Sequence, residues 1–89
     1  MSGKFDELKK KLEEEGGFPK LYLFKFIIPS DNRKLAQLQA LFGEEAILDL
    51  RSSKTGKYVS LSAKEVMLSA DKIVDRYEAA MKIEGCIAL

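Results

Sequence analysis

The chain contains no histidine. This removes the commonest general base, the commonest metal ligand and the usual switch near neutral pH. Hydrolases of the serine or cysteine triad type and histidine-ligated zinc sites are thereby set aside. A single cysteine, Cys86, allows no internal disulfide, no iron–sulfur cluster and no CxxC metal site within one chain. A reduced compartment follows from that usage. No apolar run reaches membrane-spanning length, and residues 1–19 lack the apolar segment of a secretory signal. The expectation is a cytoplasmic protein with no membrane partner. Fifteen basic residues against fourteen acidic ones leave no net field to drive non-specific nucleic-acid binding.

What is present fits one small domain. Apolar residues make up 46% of 89, enough for a modest core and too many for a disordered tail. The organising stretch is Arg51 to Ser62. Leu48 and Leu50 ahead of it, and Val59, Leu61 and Ala63 from its second half onward, alternate with polar residues. Two period-two runs joined by a polar segment with a glycine predict a β-hairpin, with Gly56 at the φ > 0 position.

Around the hairpin the other elements follow in order. Phe5, Leu8 and Leu12 predict a short amphipathic helix capped by Ser2 or Asp6 and stopped by Gly16-Gly17. Its charge blocks read as a solvated face, or as a latch or docking helix. Leu21 to Ile28 predicts a strand ended by Pro29, with Tyr22, Phe24, Phe26 and Ile28 toward helices and Lys25 marking the less buried side. Ser30 or Asp31 caps a helix carrying Leu35, Leu38, Leu41 and Phe42, and Gly43 terminates it. Ser69 caps a second helix with Ile73, Tyr77, Ala80 and Met81 on one face. Gly85 and a short strand, residues 86–89, follow.

Residues 1–17 thus form a helix and a Gly-Gly joint, and residues 18–89 a domain ordered strand, helix, strand, strand, helix, strand. That is an α+β, ferredoxin-like βαββαβ arrangement: a four-stranded antiparallel sheet with two helices on one face. The first and last strands are expected as neighbours in its centre. The open face then exposes Leu21, Leu23, Ile27, Tyr58 and Val66, an apolar patch of the kind that marks an interface. Glu65 falls on the core side of the simple alternation, which would require a bulge after Lys64.

Searches for chemistry return little. Gly56-Lys57 lacks the earlier glycine and the following Ser or Thr of a phosphate loop, and it leads into a strand rather than a helix. RNA-recognition domains stack bases on strand aromatics, but Tyr58, Ser60 and Ser62 supply one ring and two hydroxyls. Nucleic acid is therefore not an expected partner. The acylphosphatase cradle needs a glycine-rich loop after the first strand, and Pro29-Ser30-Asp31-Asn32-Arg33 has none. Cys86 reads as a small buried residue. Ser52, Ser53, Lys54 and Lys57 offer contacts to an anion and equally make an ordinary solvated hairpin tip. No cofactor is expected.

Arg51-Ser52-Ser53-Lys54, then Gly56, Tyr58, Ser60 and Ser62, then Ser69, Tyr77-Glu78 and Lys82-Ile83, resemble the YbeD-like family of small bacterial proteins. The resemblance spans residues 18–89 and is densest from Arg51 onward. It implies a ferredoxin-like fold similar to the ACT regulatory domains of metabolic enzymes, with no catalysis and no cofactor. ACT domains bind amino acids beside the loop after the first strand. This chain resembles them there in Pro29 and Asp31, but carries Arg33-Lys34 in place of their glycine.

Three expectations result. The first is a non-enzymatic regulatory or interaction module that meets a protein partner or a second copy, as in a homodimer, through its open sheet face or edges. The second is a small-molecule sensor, with an amino acid or anion near Ser30, Asn32 and Arg33 or near Ser52, Ser53, Lys54 and Lys57. The third is that Phe5, Leu8 and Leu12 shield the open face of the same or a neighbouring chain.

Overall fold

In the computed structural model, which describes residues 3–89, three helices and four strands follow one another along the chain. They are α1 (Asp6–Glu15), β1 (Lys20–Pro29), α2 (Asn32–Gln39), β2 (Ile47–Ser52), β3 (Tyr58–Met67), α3 (Ala70–Met81) and β4 (Ile87–Ala88). The fold is α+β, with one four-stranded antiparallel sheet in the order β2-β3-β1-β4, and is compatible with a ferredoxin-like arrangement.

The aromatic alternation of β1 builds the core. Phe24, Phe26 and Ile28 are fully buried, as are Leu61 of β3, Leu38 of α2 and Ile73 of α3. Burying each such side chain contributes about 1.5–3 kcal/mol. Tyr77 of α3 lies edge-on to Phe24 and Phe26, at centroid distances of 5.3 and 5.6 Å. Its hydroxyl and that of Tyr22 share a hydrogen bond of 2.9 Å. Cys86 is buried beside this core, and burial pushes its thiol pKa up.

Local signals set the helix starts. The Asp31 carboxylate accepts from the Lys34 N–H, and the Ser69 hydroxyl from the Lys72 N–H, each satisfying a donor that a helix start leaves free. At α1 the residue before the helix is Phe5, which offers no side-chain cap. Asp6 does not cap it either. It stands in the first turn and accepts from the Gly3 N–H, and Ser2 lies outside the described residues. Gly56 has φ +73° in the hairpin turn, as its position predicted. Gly85 has φ +82°, and a Cβ there would stand 2.8 Å from Pro29 Cγ.

Three expectations need correction. β4 adjoins β1, but it lies at the sheet edge and the central pair is β1 and β3. The reason is length: β3 pairs with β1 over the whole run from Lys20↔Met67 to Pro29↔Tyr58, whereas β4 contributes two pairs, Phe26↔Ala88 and Ile27↔Ile87.

That same unbroken register leaves no bulge after Lys64. Glu65 stays on the core side, where Arg76 of α3 donates to both its oxygens at 2.7 and 3.2 Å and the Gly43 N–H donates at 3.2 Å. The guanidinium also lies over the Phe24 and Phe42 rings, 5.5 and 5.0 Å from their centroids. An acid at the rim of the core is tolerated because every charge there is partnered.

Nor does α1 shield the open face of its own chain. It packs on α3: Leu12 is buried with the core, Phe5 stacks on Tyr77 at 5.3 Å, and Lys9 Nζ meets Asp71 Oδ1 at 2.8 Å.

Candidate interaction surface

Side chains alternate across a sheet, so the register assigns each to a face. Leu21, Leu23, Lys25 and Ile27 of β1 lie opposite Val66, Lys64, Ser62 and Ser60 of β3. Ile47, Asp49 and Arg51 of β2 stand beyond Lys64, Ser62 and Ser60. Ile87 stands beside Ile27 on the other flank. Among the described residues no helix packs on this face, since the three helices contribute to the opposite one.

Leu21 is 65% exposed, Leu23 48% and Tyr58 48%, as the alternation predicted. Ile27 is only half-buried rather than exposed, because Ile87 neighbours it. Val66 joins the patch. Ile47, Ile87 and Leu89 are exposed as well, and sequence reasoning missed them. The signal for Ile47 was its two-residue spacing from Asp49 and Arg51, which becomes readable once the hairpin register is known.

The face is divided. Leu21, Leu23, Ile47 and Val66 gather around Lys64 at one end, and Ile27, Ile87 and Tyr58 lie at the other. The row Asp49–Ser62–Lys25 runs between them. Arg51 Nε donates to Asp49 Oδ2 at 3.2 Å along the same strand. Two shallow recesses indent the surface. One, of about 370 Å³, lies against Leu21, Ile47 and Val66, with Glu44, Glu45 and Lys64 at its rim. The other, of about 180 Å³, is lined by Ile27, Arg51, Ser52, Ser53, Tyr58 and Ser60.

The two groups of candidate ligand residues, separate in sequence, meet at one end of the sheet. The Ser30 N–H donates to the Lys57 carbonyl at 2.9 Å, joining the β1–α2 turn to the hairpin tip. Asn32 and Arg33 occupy the first turn of α2, and Lys54 and Lys57 are exposed on the tip. Ser53 is committed to the turn: its hydroxyl accepts from the Tyr58 N–H at 3.2 Å and lies 3.4 Å from Thr55 Oγ1. Asp31 already fills the anionic position at the start of α2. The Lys34 N–H holds its carboxyl below the usual range, so an incoming anion would meet a carboxylate there.

Among the described residues no helix is long and apolar enough to cross a membrane. Compared with known proteins, the chain matches no family model, no curated protein and no solved structure.

Proposed function

We propose that this chain is a ferredoxin-like, ACT-like module of the YbeD-like kind, non-enzymatic, that acts by binding a protein through its open sheet face or sheet edges. The observation that carries the reading is the grouping of Leu21, Leu23, Ile47 and Val66 on a face no helix covers. The order β2-β3-β1-β4 and the succession β1-α2-β2-β3-α3-β4 along the chain support the ferredoxin-like reading. Covering apolar side chains grouped on one face with another surface removes them from water and lowers the free energy. The test is Leu23→Glu. The variant should keep its fold, because Leu23 lies outside the core, and should lose association. A folded variant with oligomeric state and partner binding unchanged would rule out the open face and leave the sheet edges as the contact.

A second reading is favoured by the Ser30–Lys57 hydrogen bond, which gathers both polar groups beside the smaller recess: an amino acid or anion is sensed at this end of the sheet. A ligand at a hundred times its dissociation constant stabilises by about 2.7 kcal/mol, which thermal-shift screening detects. Absence of any shift across metabolite classes would count against it.

A further inference from the structure

β2 is an edge strand, and among the described residues nothing pairs with its outer side. The hydrogen bond from the Ser53 N–H to the Tyr58 carbonyl, 2.8 Å, sets the phase of the β2–β3 ladder. Antiparallel ladders alternate, so Asp49 and Arg51 turn their peptide groups toward β3, while Leu48, Leu50 and Ser52 turn theirs outward. Those outward groups form a free template. The strand has no proline and no bulge to blunt it, and its two charges, Asp49 and Arg51, are of opposite sign. Leu48 and Leu50 lie on the core side of the sheet, yet remain 37% and 39% exposed.

We propose that a second copy of this chain pairs with β2 antiparallel, about a two-fold axis centred on Leu50. The proposal names the partner within the interaction reading above and rests on it. Symmetric pairing through the outward groups can be centred on Asp49, Leu50 or Arg51. Centring on Asp49 or Arg51 sets that charge against its own copy, and like charges directly opposite destabilise a sheet. Centring on Leu50 sets Asp49 opposite Arg51 of the second copy, twice, and Leu50 opposite Leu50. The Asp49–Arg51 pair within each strand is thereby exchanged for two pairs between strands. The same antiparallel run brings Lys54 toward Glu44 and Glu45 of the second copy. About six ladder hydrogen bonds result. The contact is smaller than the ~1,200 Å² at which standard interfaces begin, so the dimer should dissociate on dilution, with a dissociation constant on the order of micromolar.

The test is sedimentation equilibrium from low to high micromolar concentration on the wild type, on Asp49→Arg, on Arg51→Asp and on an equimolar mixture of the two variants, with circular dichroism confirming that each is folded. The wild type should pass from monomer to dimer. Each variant alone should associate at least roughly tenfold more weakly. The mixture should dimerise like the wild type, since one variant then supplies only cations and the other only anions to the facing positions. A wild type monomeric throughout, variants that dimerise undiminished, or a mixture that stays monomeric would each overturn the proposal. Leu23→Glu run alongside separates the two claims: if it disrupts an assembly that the charge variants leave intact, the open face is the contact, and the interaction reading survives while the edge pairing fails.

Discussion

Arg76 of α3 grips Glu65 of β3 with both arms of its guanidinium, and the Gly43 N–H donates to one of the same carboxylate oxygens. One side chain thus ties together β3, α3 and the loop that leads into β2. Both groups are about 85% shielded from water, with side-chain exposures of 16% and 15%. Glu65→Gln keeps the shape and removes the charge. It should cost about 1–3 kcal/mol, the value of hydrogen bonds to charged partners, read from the urea midpoint. Arg76, foremost, holds the Glu65 carboxyl below its ordinary 4.5. The group is therefore depressed in the folded state, and its contribution is present above pH 4.5 and lost as pH falls through the lower folded value. The stability gap between wild type and Glu65→Gln should narrow as pH falls below 4.5 and close once it has passed the lower folded value. A gap that stays constant would show that charge is irrelevant at this position.

Tyr77 gives a spectroscopic prediction. Its phenol pKa is raised, first by burial and then by the hydrogen bond with Tyr22. The folded protein should therefore show a tyrosine, among its three, that ionises only when the chain unfolds at alkaline pH. Ultraviolet titration at increasing pH reads this directly. Because the folded pKa lies above the unfolded one, the stabilisation is full below pH 10 and lost as pH rises through the higher value. Tyr77→Phe should abolish the late phase and cost about 1 kcal/mol through the lost hydrogen bond.

Leu12 predicts that α1 belongs to the folded unit. It is 5% exposed, within the same core as Phe24 and Ile73. Leu12→Ala should destabilise the whole domain by about 2–5 kcal/mol, whereas the exposed Leu21→Ala should fall within about 0.5 kcal/mol of wild type. Equal, small effects in denaturant titrations would mean that the helix undocks without consequence.

Gly85 sits where the chain turns from α3 into β4, pressed against Pro29. Gly85→Ala would place a Cβ in a left-handed conformation and 2.8 Å from the proline ring. The loss should be about 1–3 kcal/mol, measured by thermal unfolding. A neutral result would mean that the β4 connection shifts freely.

Much of the fold was legible because it rests on local rules. The alternation of Tyr22, Phe24, Phe26 and Ile28 named the core face of β1, and Asp31 and Ser69 announced their helices as caps. Relations between distant residues were not legible. Periodicity marks Glu65 as misplaced but cannot name Arg76, because a cation on α3 meets β3 only after the connection between them folds back. An amphipathic stripe says that Phe5, Leu8 and Leu12 are buried, not against what, and Tyr77 supplied the surface. On the candidate site, Leu21, Leu23 and Tyr58 could be read from one strand at a time. Ile47 and Ile87 required knowing which strands stand side by side, as did the meeting of Ser30 with Lys57.

The ladder between β1 and β3 also orders events in time. Its partners are far apart along the chain, Lys20 with Met67 at the extreme, whereas β2 and β3 join through a short local turn. Closing the longer span costs more chain entropy before any contact rewards it. The hairpin can therefore form while β1 is still searching, and β4, which pairs with β1 alone, has no place to dock until that search ends. During that interval the hairpin's inner edge, along β3, is bare as well as its outer one, and the time β1 takes to arrive sets how long the chain stays open to pairing with the wrong strand.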